Sequence, residues 1–415
     1  MGEFGLSQPV LRREDPHLLT GAGRYTDDHR LAGLVHAAVL RSAHGHGRIT
    51  HLDVAAARAA PGVLAVYTAA DLQAQGIGGI PCRRIPKVKE GTVFVEHRQP
   101  LLADDTVRYV GDAVALVVAE TAHQAQDALE LIDMEVDPLP AVVGCQRAVQ
   151  TDAPTVWADA PDNIAFHWGI GDEAATADAF QRAARVVSLG VENNRIVQNA
   201  MEPRAALAGM IDDRLTLITN TQMPNGVRNS LAEILDLGES LRVLVEDVGG
   251  SFGGKNSPYP EQALVVLAAR DLQRPVKWVA SRAESFITDF QGRDNISLGE
   301  LALDDAGRIL AIRIHTLADL GAYTASGGTI APLYGTVMAS NVYRIPTLYV
   351  GVQGVYTNTV PTDPYRGAGR PEITFLIERL MDVAARELGM DRVALRRLNL
   401  IPPEAFPYRT PTGLS

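Results

Sequence analysis

Leu241-Arg242-Val243-Leu244-Val245-Glu246-Asp247-Val248 runs directly into Gly249-Gly250-Ser251-Phe252-Gly253-Gly254-Lys255-Asn256, which sets four glycines within six residues ahead of the helical pattern of Tyr259–Leu272. Strand, glycine loop and helix in that order present backbone N–H groups to an anion or polar cofactor without Cβ obstruction. Glycines so closely spaced read as a ligand loop rather than as a turn that only lets two backbones approach. Gly249, Gly254 and Lys255 also meet most of the spacing of a phosphate-binding P-loop. Asn256, however, stands where a hydroxyl must hold magnesium, and Pro258 and Pro260 interrupt the first helical turn. A P-loop-like nucleotide binder is thus the weaker reading of this loop.

Two further stretches extend the pattern. Asn220-Thr221-Gln222-Met223-Pro224 closes a strand candidate and opens a helix candidate, so the Gln222 amide can be aimed into a cleft. Asp363-Pro364-Tyr365-Arg366-Gly367-Ala368-Gly369-Arg370-Pro371-Glu372 is again a glycine turn opening a helix. Arg366 and Arg370 beside a helix N-terminus make a locally positive site, suited to an oxyanion or metal-oxo ligand. Ser251 lacks the context of a nucleophile elbow. Glu202, Asp247 and Glu372 read as capping or ion-pairing carboxylates.

In that order the three stretches resemble the molybdopterin-binding subunit of the xanthine oxidase family of molybdenum hydroxylases. The likeness is nearest to the bacterial branch that includes aerobic carbon monoxide dehydrogenase-like large subunits. Arg41-Ser42-Ala43-His44-Gly45-His46-Gly47-Arg48-Ile49, Gly21-Ala22-Gly23-Arg24-Tyr25-Thr26-Asp27-Asp28, Met201-Glu202-Pro203-Arg204 and Asp319-Leu320-Gly321-Ala322-Tyr323 are similar to other signatures of the family. The resemblance implies an α+β architecture: an a/b hammerhead domain followed by the first molybdopterin-binding domain. It implies a molybdenum–molybdopterin cofactor, in the cytosine dinucleotide form, with no protein ligand to the metal. Gln222 would donate to the apical oxo ligand, Phe252 and Gly253 would line the coordination sphere through their N–H groups, and Gly250 and Ser251 would complete the cofactor loop. Arg366 would stabilise charge beside the equatorial oxygen. Asn256 and Ala368 would face the substrate.

Departures from the family narrow the substrate. Asn256 stands where purine-oxidising members carry Glu, and Ala368 where they carry a stacking Phe. Gly367 stands where carbon monoxide oxidisers carry the copper-holding Cys. The resemblance then implies hydroxylation of an aldehyde or an N-heteroaromatic compound. The chain corresponds to the N-terminal half of a longer subunit, so the implied partners are a C-terminal half, a 2Fe-2S small subunit and an FAD-binding medium subunit. The iron–sulfur clusters and flavin would sit on those partners. A catalytically silent assembly or cofactor-insertion protein would share the fold, but it would have no need to gather Gln222, Phe252 and Arg366 at one cleft.

The rest of the chain agrees with a folded enzyme subunit. Its 415 residues, 46% of them hydrophobic, suit two or three domains. With 49 acidic against 38 basic side chains, a net charge of −11 and no basic block, it is a poor binder of nucleic acid or anionic membranes. Cys82 and Cys145 form no CxxC, and the apolar runs are too short to span a bilayer. No secretory signal is visible at Met1-Gly2-Glu3-Phe4-Gly5, so a cytoplasmic location is expected. The expected units are an N-terminal arm (1–20), the hammerhead domain (21–141), a linker (142–172) rich in turn residues, and the molybdopterin-binding segment (173–415). Strands are expected near 35–40, 63–68, 110–119, 185–191, 215–220, 241–247 and 276–280, with a hairpin over 296–315. Helices are expected near 53–60, 121–131, 226–235, 259–272 and 371–388. His44, His46 and His51 lie in what reads as a flexible turn with a structural or interface role. The chain closes on Pro402–Ser415, an irregular segment that reads either as a frayed tail or as the start of further chain.

Overall fold

The computed structural model describes residues 11–415. Its organising feature is a seven-stranded sheet in the spatial order Arg242–Leu244, Arg214–Thr219, Ala205–Ile211, Val276–Val279, Val35–Arg41, Ala113–Ala119 and Val63–Thr68. The first four strands come from the region expected to bind the cofactor and the last three from the hammerhead region. They meet where Val35 and His36 pair in parallel with Val276 and Lys277. Helix Pro260–Leu272 lies across this sheet with Pro260–Ala269 buried throughout. A helix apolar on all sides, with Ala263, Leu264, Val265, Val266 and Leu267 in succession, has no face to offer water and must sit inside.

A second sheet runs Ile164–Gly171, Thr347–Tyr356, Ile309–Gly321, Asn295–Leu303 and Arg185–Asn193. The expected hairpin is its centre, Asn295–Leu303 pairing antiparallel with Ile309–Gly321. Helix Arg370–Leu388 packs on it through Leu376, Ile377, Leu380 and Met381, and a Cβ on Gly299 would come within 2.7 Å of Leu380. Pro371 in the first turn and Gly389 at φ 63° fix the two ends of that helix. A third, small sheet holds Thr106–Val107, Gly47–Asp53 and Asp133–Pro138.

Two expectations change. The 142–172 segment is not simply a connector: it carries helix Cys145–Ala148 and the edge strand Ile164–Gly171, and Val142, Cys145, Val156 and Phe166 are buried in the five-stranded sheet's core. The stretch read as a flexible turn about Gly45 and Gly47 passes at Gly47 into a strand that contains His51. Gly47 is small there because a Cβ would lie 2.4 Å from Val136 of the neighbouring strand. His46 is buried and bonds Pro140 O at 2.7 Å through Nδ1, and burial lowers its pKa. No helix is long and apolar enough to cross a membrane, and no cluster of His, Cys, Asp and Glu could hold a metal ion among the described residues.

Candidate cofactor site

The three loops singled out in the sequence meet at one place. The Gln222 N–H donates to Lys255 O at 3.2 Å, and the Thr221 hydroxyl donates to the same carbonyl at 2.7 Å. The Arg366 N–H donates to Phe252 O at 2.9 Å, which ties the third loop to the first. Contact this close requires glycine. A Cβ on Gly253, at φ 103°, would lie 2.1 Å from Pro364 O. Phe252 and Ala368 themselves hold left-handed backbones, at φ 52° and 45°.

Gln222 is fixed by what it accepts. Its Oε1 receives the Gly253 N–H at 3.0 Å and the Ser251 hydroxyl. A backbone N–H can only donate, so the oxygen must face the loop, and Nε2 is left as a donor on the exposed side. The Gly253 N–H, expected to line the metal, is therefore committed to Gln222. The N–H groups of Gly250, Ser251 and Phe252 make no hydrogen bond to any described residue. Successive unpaired N–H groups on a half-exposed loop are the donor set that an anion-binding concavity requires.

Lys255 does not serve that concavity. Its side chain is 5% exposed, and Nζ turns under the loop to Glu202 O at 2.8 Å and Glu202 Oε2 at 3.3 Å. Glu202 Oε2 also accepts the Gly249 N–H at 2.8 Å. Burial lowers the lysine's pKa, and Glu202 works against that shift. A P-loop lysine must reach phosphate, whereas this one is a strut, so the nucleotide reading loses its central residue.

The other carboxylates are structural as well. Asp247 accepts from Arg24 N at 2.8 Å and lies 3.2 Å from His17 Nε2, while Glu372 pairs with Arg293 at 2.7 Å. Arg293 was not singled out in the sequence, yet it also donates to Arg366 O at 2.8 Å and lies over Tyr365 at 4.9 Å. It holds the Arg366 loop from behind. In the sequence it is marked only by single aspartates on either side, Asp289 and Asp294, and that is no signal. Arg366 itself is exposed and has no ion-pair partner among the described residues. Arg370 folds back to Gly367 O at 3.2 Å.

Asn256 lines a groove of about 290 Å³ that begins at Met223, next to Gln222. Ala368 is not among the residues lining that groove. Farther in, Arg41 and Arg204 bracket the buried Glu261 at 2.5 and 2.7 Å, and Arg204 also meets Asp289 at 2.6 Å. Burial alone would push Glu261 up, but Arg204 and Arg41 bring it down to about 2.

These loops, on this pair of sheets, define a molybdopterin-binding fold. The family model for the molybdopterin cofactor-binding domain matches residues 156–400, and that for the a/b hammerhead domain of aldehyde oxidase and xanthine dehydrogenase matches residues 20–140. The chain belongs to this family. It is 36% identical to the nicotine 6-hydroxylase large subunit of Paenarthrobacter nicotinovorans over 99% of its own length and 50% of that subunit. It is 31% identical to the nicotinate dehydrogenase large molybdopterin subunit of Eubacterium barkeri, covering 91% of this chain and 85% of that one. Carbon monoxide dehydrogenase from Oligotropha carboxidovorans superimposes with a TM-score of 0.91 at 33% identity, over 99% of this chain and 52% of the other. The chain thus spans about half the length of most of the curated relatives it matches.

Proposed function

We propose that this chain is the N-terminal, molybdopterin-binding half of a molybdenum hydroxylase that oxidises an aldehyde or an N-heteroaromatic compound. In this reading the cofactor is the cytosine dinucleotide form, and a C-terminal half, a 2Fe-2S subunit and an FAD subunit complete the enzyme. The observation that carries the proposal is the fixed Gln222 amide, Nε2 outward, beside the unpaired N–H groups of Gly250, Ser251 and Phe252.

When bound, the cofactor supplies the redox chemistry and accepts the two electrons of oxidation. The residues of this chain position and polarise. Gln222 Nε2 donates to an oxygen of the cofactor, and its own oxygen is held by two donors, so the amide does not rotate when charge develops. The three N–H groups, held by the loop backbone, and the Arg366 charge, just ahead of a 19-residue helix, stabilise negative charge. Lys255, committed to Glu202, neither donates to nor repels the ligand. Glu202 and Glu372 are ion-paired, Asp247 is held by the Arg24 N–H and His17, and Asp363 is buried, so the general base is assigned to the C-terminal half.

Removing one preorganised donor of this type costs about 10²–10³ in turnover, or about 2.7–4 kcal/mol. Gln222→Ala in the assembled enzyme is therefore expected to keep its molybdenum content, measured by elemental analysis, and to lose that much kcat. Full turnover in the variant rejects the assignment. A wild-type complex that carries molybdenum but oxidises neither substrate class favours the silent assembly protein.

A further inference from the structure

The groove beside Gln222 has a charge at odds with the chain around it. In a protein of net charge −11, its lining contains two arginines, Arg83 and Arg84, and no Asp or Glu. One wall is a single face of helix Pro224–Ile234, formed by Gly226, Asn229 and Ser230 with Met223 at its N-terminal cap. At 1.5 Å per residue, Met223 to Ser230 is a run of about 10 Å away from Gln222. Pro258 and Ile330 give apolar contact, and Asn229, Asn256 and Ser257 supply polar ends.

The arginines come from the other end of the chain and are held in place by their backbones. The Arg83 N–H donates to Ser326 O at 2.9 Å, and the Thr329 hydroxyl donates to Arg84 O. Two successive residues are thus pinned to the opposite wall while their side chains remain exposed. Arg83 spends its charge on Glu233 at 2.6 Å, with both partners about half exposed. Arg84 has no ion-pair or side-chain hydrogen-bond partner among the described residues. The other nearby acid, Asp363, is buried behind Gly327 and Ser257 and does not reach the groove.

We propose that this groove seats the substrate and that Arg84, supported by Arg83, selects one bearing a carboxylate. The inference rests on the hydroxylase reading for its location next to Gln222, and it names the substrate class within that reading. The carboxylate lies toward the arginines and the carbon to be oxidised toward Gln222, with the apolar body against Met223, Pro258 and Ile330. A guanidinium engages a carboxylate through two parallel N–H donors, which an amide of the same shape cannot match.

The test is titration calorimetry of the molybdenum-loaded protein, purified with its partners, against 4-formylbenzoate and 4-formylbenzamide. These share size and aldehyde and differ by one charge. A charge-assisted hydrogen bond of about 1.5–3 kcal/mol predicts the carboxylate binding about 10- to 100-fold more tightly. Arg84→Gln is expected to bring the ratio near one, and Arg84→Lys to retain part of it. The melting temperature of each variant reports whether it is folded. Equal affinities in the wild type overturn the proposal, as does a ratio unchanged in both Arg84→Gln and Arg83→Gln. Turnover separates the two readings. Oxidation of both aldehydes with no charge preference removes the arginine seat and leaves the hydroxylase. An Arg84-dependent preference in a complex that oxidises nothing keeps the seat and removes the hydroxylase.

Discussion

Asp363 is 2% exposed, two residues before Tyr365 in the loop that meets Gly253, and neither carboxylate oxygen has a hydrogen-bond partner. The Ser257 hydroxyl and the Gly327 N–H are its nearest donors. Burial pushes its pKa up from 3.8 to about 7, and those two donors offset only part of the rise. The folded protein therefore keeps a proton that the unfolded chain releases between these values, so stability falls as pH rises through that window. At about 1.4 kcal/mol per pH unit the ionised form is penalised by at most about 4 kcal/mol. Asp363→Asn removes this charge. The variant should match the wild type in urea denaturation at pH 4 and exceed it at pH 8. Asp112 and Asp319, each pushed up to about 6 by burial, leave a shared slope in both proteins, so the difference between the two is the informative quantity. A gap independent of pH would show that Asp363 finds a donor after all.

At the scale of elements, the most exacting one is helix Pro260–Leu272, because its first turn carries a charge into the core. Glu261 is 1% exposed and is tolerable only between Arg204 and Arg41. Removing one partner of a buried pair typically costs about 3–5 kcal/mol, since the remaining charge is left uncompensated. Arg204→Gln should lower stability by that amount at pH 7. Because Glu261 titrates near 2 in the fold against 4.5 outside it, its stabilisation is complete above pH 4.5 and is lost as pH falls toward 2. The deficit of the variant, followed by chemical denaturation, should therefore shrink on acidification. The sequence showed this helix clearly, through its proline start and unbroken apolar run, but showed nothing of Glu261's partners, which lie 57 and 220 residues away. Strands were legible where one segment carried enough β-branched residues, as in Val63–Thr68. Ala205–Ile211 was missed because five of its seven residues are fully buried and it is rich in Ala and Gly, which erases both alternation and β-propensity. Thr347–Tyr356, broken by Gly351 and Gly354, failed for a related reason: a Cβ on Gly354 would lie 2.3 Å from Phe166 on the adjacent strand.

At the scale of the molecule, the two family domains are continuous in space although separate in sequence. The cofactor loops were readable as short local patterns whose order is specific; the Gln222–Gly253 bond, the Arg366–Phe252 bond and the Arg293 brace were not, because each joins residues brought together only by the sheets. The same non-local logic governs how the chain unfolds. Val35–Arg41 is an inner strand only because Val276 and Lys277 pair with its first two residues, and Arg41 is neutralised only by Glu261 and Glu284 at 2.5 and 2.6 Å. Excised as residues 20–140, the hammerhead segment would expose that strand as an unpaired edge and leave a guanidinium, 11% exposed in the whole chain, without its partners. The whole chain is expected to melt with the two regions coupled, giving one dominant calorimetric transition. The 20–140 fragment should unfold at lower temperature and self-associate through the freed edge. If the fragment matched the melting temperature of the whole chain as a monomer, the shared sheet would contribute contact without stability, and the two regions would be independent folding units after all.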